Sequence, residues 1–240
     1  MALATKKHVR LEDPGAEMLD RLTGYWDRFG RLTTSVVGAI AAVAVIGVLY
    51  LRAQTGSEEK AAGKLAEADI MFWQGYYPRS YDAAQQVIKQ YPGTRSAIEA
   101  HRLAGDDAYW RGEPGDFQRS VDEYRAYLKH RRSGLLAEAA QRSLAYALES
   151  NAGVLKSQGK SGEAESELRE AATTYEGLVG KFADRESSSE FLFGAARCYR
   201  QLNQPQEAAK RLKRLVDEYG ETTTANRARI ELAEVTAGTS

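Results

Sequence analysis

A single cysteine, Cys198, excludes any disulfide within the chain. Five prolines in 240 residues leave most of the sequence free to be helical. The three histidines, His8, His101 and His130, stand far apart, without the paired spacing of a metal site. Neither sign of charge is in excess. Lys+Arg and Asp+Glu both total 33, so the chain lacks the global basic field of a nucleic-acid binder and the acidic surplus of a cation buffer. The phosphate-binding patterns G-x-x-x-x-G-K-[ST] and G-x-G-x-x-G are missing, as are H-E-x-x-H and C-x-x-C. The neighbouring carboxylates Glu58-Glu59 and Asp106-Asp107 would diverge by about 100° on a helix, so neither pair makes a shared site. No catalytic residue, metal ligand or cofactor is therefore expected. Cys198 lies beside Gly194, Ala195, Ala196 and Tyr199 and reads as a small core residue, with a reactive thiol as the alternative.

Charge is also missing from one local stretch. Residues 33–51 carry none, and Arg31 and Arg52 bracket them. Nineteen residues span about 28 Å as a helix, close to the ~30 Å hydrocarbon core of a bilayer. Tyr50 stands at the edge, where an interfacial aromatic belongs. A cleaved signal peptide fits poorly, because the preceding region is over thirty residues long and rich in acids. We therefore expect an uncleaved transmembrane helix over 33–52. Lys6, Lys7, Arg10, Arg21, Arg28 and Arg31 precede it, against Arg52, Lys60 and Lys64 just after it. That asymmetry places the N-terminus in the cytoplasm and the remainder across the membrane. Within the span, Ser35, Gly38, Ala39 and Ala42 put small residues on overlapping faces that permit close helix packing. Asp13-Pro14 reads as a helix start. The helix it opens sets Met18, Leu22, Tyr25, Trp26, Phe29 and Leu32 at helical spacing. It suits either an interfacial position or a partner's docking surface. The organisation expected is a cytoplasmic segment 1–32, the span 33–52, a polar juxtamembrane linker 53–64 and a folded domain 65–236.

Beyond the span, apolar residues recur at three and four spacing almost to Val235. Breaks at 77–78, 91–93, 112–115, 131–134, 157–162, 183–189, 203–205 and 220 divide this region into eight helices and a last one from about Thr223. Regular helical hairpins call for a repeat test. Residues 192–215 pass it best. Leu192, Ala195, Ala196 and Tyr199 fall on a first helix, with Ala208, Leu212 and Leu215 on a second. Small residues at Ala196 and Ala208 suit a close helix crossing. The aligned small residues of the four second helices are read as Ala84, Ser120, Ala164 and Ala208, spaced 36, 44 and 44. The fold class is therefore all-α: an N-terminal transmembrane helix, then an α-solenoid of about four hairpins and a terminal helix.

Tyr91-Pro92-Gly93-Thr94 followed by Ala97, Ala100, Gly105 and Tyr109 resembles the repeat motif of bacterial envelope tetratricopeptide proteins. Glu218-Tyr219-Gly220-Glu221-Thr222 with Ala225 and Ala228 repeats it, with glycine in place of proline. The layout of a short N-terminal segment, one span and repeats is similar to that of the YfgM-like ancillary subunits of the Sec translocon. The resemblance implies a bacterial inner-membrane protein with a periplasmic repeat domain that binds other proteins. Its membrane contact would be lipid around one span, and nucleic acid is not an expected partner. It implies either a scaffold or chaperone-like adaptor at an envelope machine, or an accessory structural subunit of a large membrane complex. It also places Phe193, Arg197 and Arg200 on a concave binding face. Aromatics gather at two helix ends, with Phe72, Trp73, Tyr76 and Tyr77 at one, and Tyr109 and Trp110 at the next. These rings either seal hairpin turns or form a groove with hot-spot residues. The candidate protein-binding set is therefore Trp73, Tyr76, Tyr109, Trp110, Phe193, Arg197 and Arg200. The basic run Lys129-His130-Arg131-Arg132 ends a helix and reads as a complement to its dipole.

Overall fold

The structure, a computed structural model, describes residues 14–182 and 184–237. Asp13, the cations Lys6, Lys7 and Arg10, and His8 lie outside the described residues. Nine helices appear among those described: α1 (Pro14–Trp73), α2 (Tyr77–Gln90), α3 (Arg95–Arg111), α4 (Asp116–His130), α5 (Leu135–Ser157), α6 (Ser161–Leu178), α7 (Arg185–Gln201), α8 (Pro205–Glu218) and α9 (Thr223–Ala237). Two compact units result, Met1–Gly56 and Ser57–Ser240.

In the first unit, α1 leaves its apolar side chains exposed, from Met18, Leu22, Tyr25, Trp26, Phe29 and Leu32 through Val36 to Leu51. The uncharged stretch is long and apolar enough to cross a membrane, and none of it is buried against protein. Its hydroxyls are satisfied within the helix. Thr33 donates to the Phe29 carbonyl at 3.0 Å and Ser35 to that of Arg31 at 2.8 Å. Such back-bonding lets polar residues sit in an apolar helix without an external partner.

The second unit is a stack of antiparallel hairpins. The first pairs the C-terminal part of α1 with α2, through Ala61, Ala68, Ala84 and Val87 in one core cluster and the Ser80 hydroxyl donated to the Ala68 carbonyl. The pairs α3/α4, α5/α6 and α7/α8 follow, and α9 packs on the last. Residues 53–64, expected as a linker, are helical. Their glutamates, lysines and alanines are strong helix formers, and Ala61 is already buried in the first core cluster.

Each second helix buries the same three-residue pattern. The triplets are Ser80/Ala84/Val87, Ser120/Tyr124/Tyr127, Ala164/Leu168/Ala171 and Ala208/Leu212/Leu215, all buried. In this register the small residue of the first hairpin is Ser80, one turn before the Ala84 expected from sequence, and the spacings become 40, 44 and 44. The physical signature is a hydroxyl at the crossing. Ser80 donates to the Ala68 carbonyl at 2.9 Å, and Ser120 donates to that of Gly105 at 2.8 Å. Ala84 occupies the place where the other repeats put Tyr124, Leu168 and Leu212.

The two Tyr-x-x-Thr segments, Tyr91 to Thr94 and Tyr219 to Thr222, fold alike. The Thr94 and Thr222 hydroxyls each donate to the carbonyl of the tyrosine three residues earlier, Tyr91 and Tyr219, both at 2.8 Å. Each following helix start is then held by a glutamate from the preceding first helix. Glu58 accepts the Arg95 and Ser96 amides and the Ser96 hydroxyl. Glu186 does the same for Thr223 and Thr224, at the same separations of 37 and 38 residues. Orphan amides at the two helix starts are thus satisfied by acids, the sign the helix dipole favours.

Close packing makes two glycines necessary. A Cβ on Gly105 would lie 2.9 Å from the Tyr124 ring, and one on Gly194 would lie 3.0 Å from the Tyr175 ring. Cys198 is buried in the central cluster, and burial pushes its thiol well up. That environment is the core role expected for it.

Candidate protein-binding surface

Chain direction decides where the aromatics meet. First helices end, and second helices begin, at one end of the hairpin stack. The C-termini of α1 and α3 and the starts of α2 and α4 therefore come together. There the rings of Trp73, Phe72, Tyr77, Trp110, Tyr109 and Phe117 form a continuous chain, each 5.5–6.3 Å from the next. The structure thus brings Trp73, Tyr109 and Trp110 into one ladder. Tyr76 stands beside it with the Arg79 guanidinium over its ring. The ladder is only partly consumed by packing. Trp73 is 83% exposed, Trp110 61% and Tyr76 52%, whereas Tyr109 is half-buried against Phe117.

Tyr109 and Trp110 also border a cleft of about 220 Å³ that reaches α5 and includes Arg142 and Tyr146. Its floor is polar. The Tyr124 hydroxyl donates to Asp106 at 2.6 Å, and Arg102 donates to the same carboxylate at 2.7 Å. Burial raises the Asp106 carboxyl, and these two donors offset only part of that rise. Arg142 lies 5.7 Å from the Phe182 ring and enters no ion pair among the described residues. The cleft therefore offers aromatic walls and one guanidinium that makes no close ion pair among the described residues.

The other candidates occupy a different place. Phe193 is 4% exposed and packs with Leu192, Ala196 and Leu212, with Arg227 over its ring at 4.7 Å. The reading that put it on an open face fails for that residue, because α9 covers it. Arg197 grips Glu149 of α5 with two nitrogens, and Gln201 and Tyr175 add donors to the same carboxylate. The Glu149 hydrogen bond holds the Arg197 guanidinium well above its ordinary range. Arg200 pairs with Glu231 of α9 at 2.7 Å. These arginines lace α5, α7 and α9 together, and the structure does not join them to the aromatic ladder. Sequence reading missed Arg142 and Tyr146 and left Tyr77 out of the binding set. Tyr146 sits in an Ala/Leu-rich run that looks like pure core, so no local signal marks it. Tyr77 was visible as part of the ring cluster.

Among the described residues no three His, Cys, Asp or Glu gather to hold a metal ion. His101 is tied to Glu123, with Nδ1 2.6 Å from the carboxylate, and His130 is exposed at the end of α4.

Stacked antiparallel hairpins with small residues at each crossing make a TPR-like helical solenoid fold. Residues 190–222 match the tetratricopeptide repeat family. Among solved structures, the chain is similar to the TPR-like repeats of a putative kinesin light chain from Podosopora anserina. That likeness has 17% identity over 74% of this chain and 86% of that one, with a TM-score of 0.51. It is also similar to a tetratricopeptide repeat protein of Parabacteroides merdae, at 13% identity, 75% and 61% coverage and a TM-score of 0.53. A third likeness is to the yeast histone chaperone Hif1, described as a scaffold protein recruiting protein complexes to core histones. It shows 11% identity, 77% and 95% coverage and a TM-score of 0.51. No curated protein sequence matches the chain. At these identities the likenesses establish the fold and nothing finer.

Proposed function

We propose that this chain is a non-enzymatic, membrane-anchored scaffold or adaptor that captures other proteins at the aromatic end of its first two hairpins. The observation that carries the reading is the exposure of Trp73 and Trp110 on a ladder whose remaining rings are packed and held. Rigid, half-supported aromatics beside a guanidinium have the composition of interaction hot spots. A fitting partner is a peptide segment that lays an apolar or proline side chain against Tyr109 and Tyr146 and presents an acidic group to Arg142. The scaffold role described for Hif1 is consistent with this use of the fold. The uncharged stretch of α1 supports a single-pass anchor. The flanking cations and the resemblance to envelope repeat proteins support a bacterial inner membrane with the repeats in the periplasm. Protease added to spheroplasts should digest the chain beyond Arg52. Protection of the repeat unit would overturn that topology.

A second reading, an accessory subunit held through its membrane part, is favoured by one observation. Gly38 lies within the uncharged stretch of α1 on a run of small residues, the kind of face that permits close helix packing. Ser35, Ala39 and Ala42 extend that small-residue face. Purification from detergent-solubilised membranes separates the two. One stoichiometric complex that survives loss of Trp73 and Trp110 supports the subunit, and many substoichiometric clients lost with those rings support the adaptor.

A further inference from the structure

The α4–α5 connection shows an exposure that its sequence alone does not explain. Eight consecutive residues, Lys129, His130, Arg131, Arg132, Ser133, Gly134, Leu135 and Leu136, are all exposed. Leu135 and Leu136, the first residues of α5, are 68% and 56% exposed, while Ala137 directly after them is core. Arg131 reaches Glu99 at 3.5 Å. The side chains of Lys129, His130 and Arg132 enter no hydrogen bond or ion pair among the described residues. Lys129 and His130 do sit in the last turn of α4, where cations suit the helix dipole. That role leaves their charged ends in solvent and gives no reason for two leucines to stand there as well.

Position within the repeat unit supplies the reason. Connections from a second helix to the next first helix emerge at the end opposite the aromatic ladder. Contacts trace this end from residue to residue. Glu58, at the point where the chain enters the unit, holds the start of α3 through Arg95 and Ser96. Glu99, one turn further along α3, meets Arg131 of the loop. The loop therefore belongs to the end of the unit at which Ser57 enters, and Leu51, the last residue of the uncharged stretch, precedes Ser57 by only six positions.

We infer that residues 129–136 form a second membrane contact, in which Lys129, Arg132 and Arg131 meet anionic lipid headgroups and Leu135 and Leu136 dip into the interface. Charge complementarity selects the occupant. Clustered cations next to exposed apolar side chains suit an anionic bilayer surface, where each basic residue adds attraction and each leucine loses water. An acidic protein would use the cations but not require paired leucines at the tip. The inference rests on the anchor proposed above.

The test uses the full chain in lipid nanodiscs carrying Ser133→Cys with an environment-sensitive fluorophore. Cys198 is buried and takes no label. Discs contain phosphatidylcholine alone or with about 30% phosphatidylglycerol, and quenching by headgroup spin-labelled lipid reports contact. Quenching in anionic discs is expected, and it should fall in neutral discs or when salt screens the charges. Replacing Lys129 and Arg132 by Gln should lower the docking equilibrium about five-fold for each charge removed, with Arg132→Gln, outside α4, leaving the melting temperature unchanged. Leu135→Ser with Leu136→Ser should also weaken it. A probe on Glu113→Cys, in the turn at the opposite end, should remain unquenched. Equal quenching in neutral discs, equal quenching at both positions, or none at Ser133 would overturn the proposal, as would a Ser133 probe shielded only by an added protein fraction. Co-elution of the chain with the discs reports the anchor separately, so a chain that enters the discs with an unquenched loop refutes the loop alone. A chain that stays out of the discs refutes the anchor and the loop contact with it.

Discussion

The ring of Tyr77, at the start of α2, stacks with the indole of Trp110, at the end of α3, with centroids 6.3 Å apart and planes 20° from parallel. This stack links two hairpins while leaving most of the indole in solvent, so stability and binding can be separated by mutation. Trp73→Ala is expected to weaken a partner by about 2 kcal/mol or more, roughly thirtyfold, with little change in melting temperature, and Trp110→Ala to weaken it as much while also losing the Tyr77 stack, about 0.5–1.5 kcal/mol of stability. Tyr77→Ala should lower stability by about 0.5–1.5 kcal/mol beyond its lost area. Affinity and thermal melting measured on each variant check both halves.

Glycine substitutions should divide by location. Gly105→Ala and Gly194→Ala press a methyl into the rings of Tyr124 and Tyr175, and each is expected to cost about 1–3 kcal/mol. Gly153→Ala in α5 and Gly177→Ala in α6 meet open space, and each should stabilise by roughly 0.5–1 kcal/mol. Denaturant titrations of the four variants provide the comparison.

The glutamate clamps carry a pH signature. Burial pushes the Glu58 and Glu186 carboxyls up, but the donated Ser96 and Thr224 hydrogen bonds outweigh it, so both finish below the ordinary value of 4.5. Their contribution is present above pH 4.5 and is lost as the pH falls through the lowered folded value. Glu186→Ala should cost about 1–2 kcal/mol and speed amide exchange at Thr223 and Thr224. Unchanged exchange there would mean the clamp does not hold α9.

Asp107 has the opposite sign. It is fully buried on α3, and neither carboxylate oxygen has a hydrogen-bond acceptor or donor in place, since the Ser80 hydroxyl donates to the Ala68 carbonyl. Burial, together with the Asp106 and Asp69 carboxylates, raises it to about 7, against partial relief from Arg111. Stability should therefore fall as the pH rises from about 4 to 7 and level off above, by an amount on the order of 2–4 kcal/mol. Asp107→Asn should flatten that fall and stabilise the chain at pH 8. Melting curves across this range test it.

Most of the fold was legible because it rests on short-range signals. Breaks at Pro78, Pro92-Gly93, Gly112 and Gly134 set the helices, and the Ala196/Ala208 pair set the hairpin crossing. The register of the first hairpin was not legible, because Ser80 and Ala84 are both small and one turn apart. Only the hydroxyl bond to Ala68 distinguishes them. The candidate site was half legible. The clustering of Trp73, Tyr76, Tyr109 and Trp110 follows from hairpin direction, which sequence periodicity supplies. The fates of Phe193, Arg197 and Arg200 depend on Glu149, Arg227 and Glu231, residues 31 to 48 positions away for the two arginines' partners, and such pairings have no local signature.

If the aromatic end of the first two hairpins holds other proteins, they should lie within crosslinking reach of Trp73 and Trp110. Photo-crosslinking from single sites in the full chain in native membranes tests it most directly, with a benzophenone residue replacing Trp73, Trp110, Gly38 or the exposed Lys213 of α8. Discrete protein adducts are expected from the Trp73 and Trp110 positions, reduced by Arg142→Ala, and none from Lys213. Adducts confined to the Gly38 position, or the same adducts from all four, would contradict it.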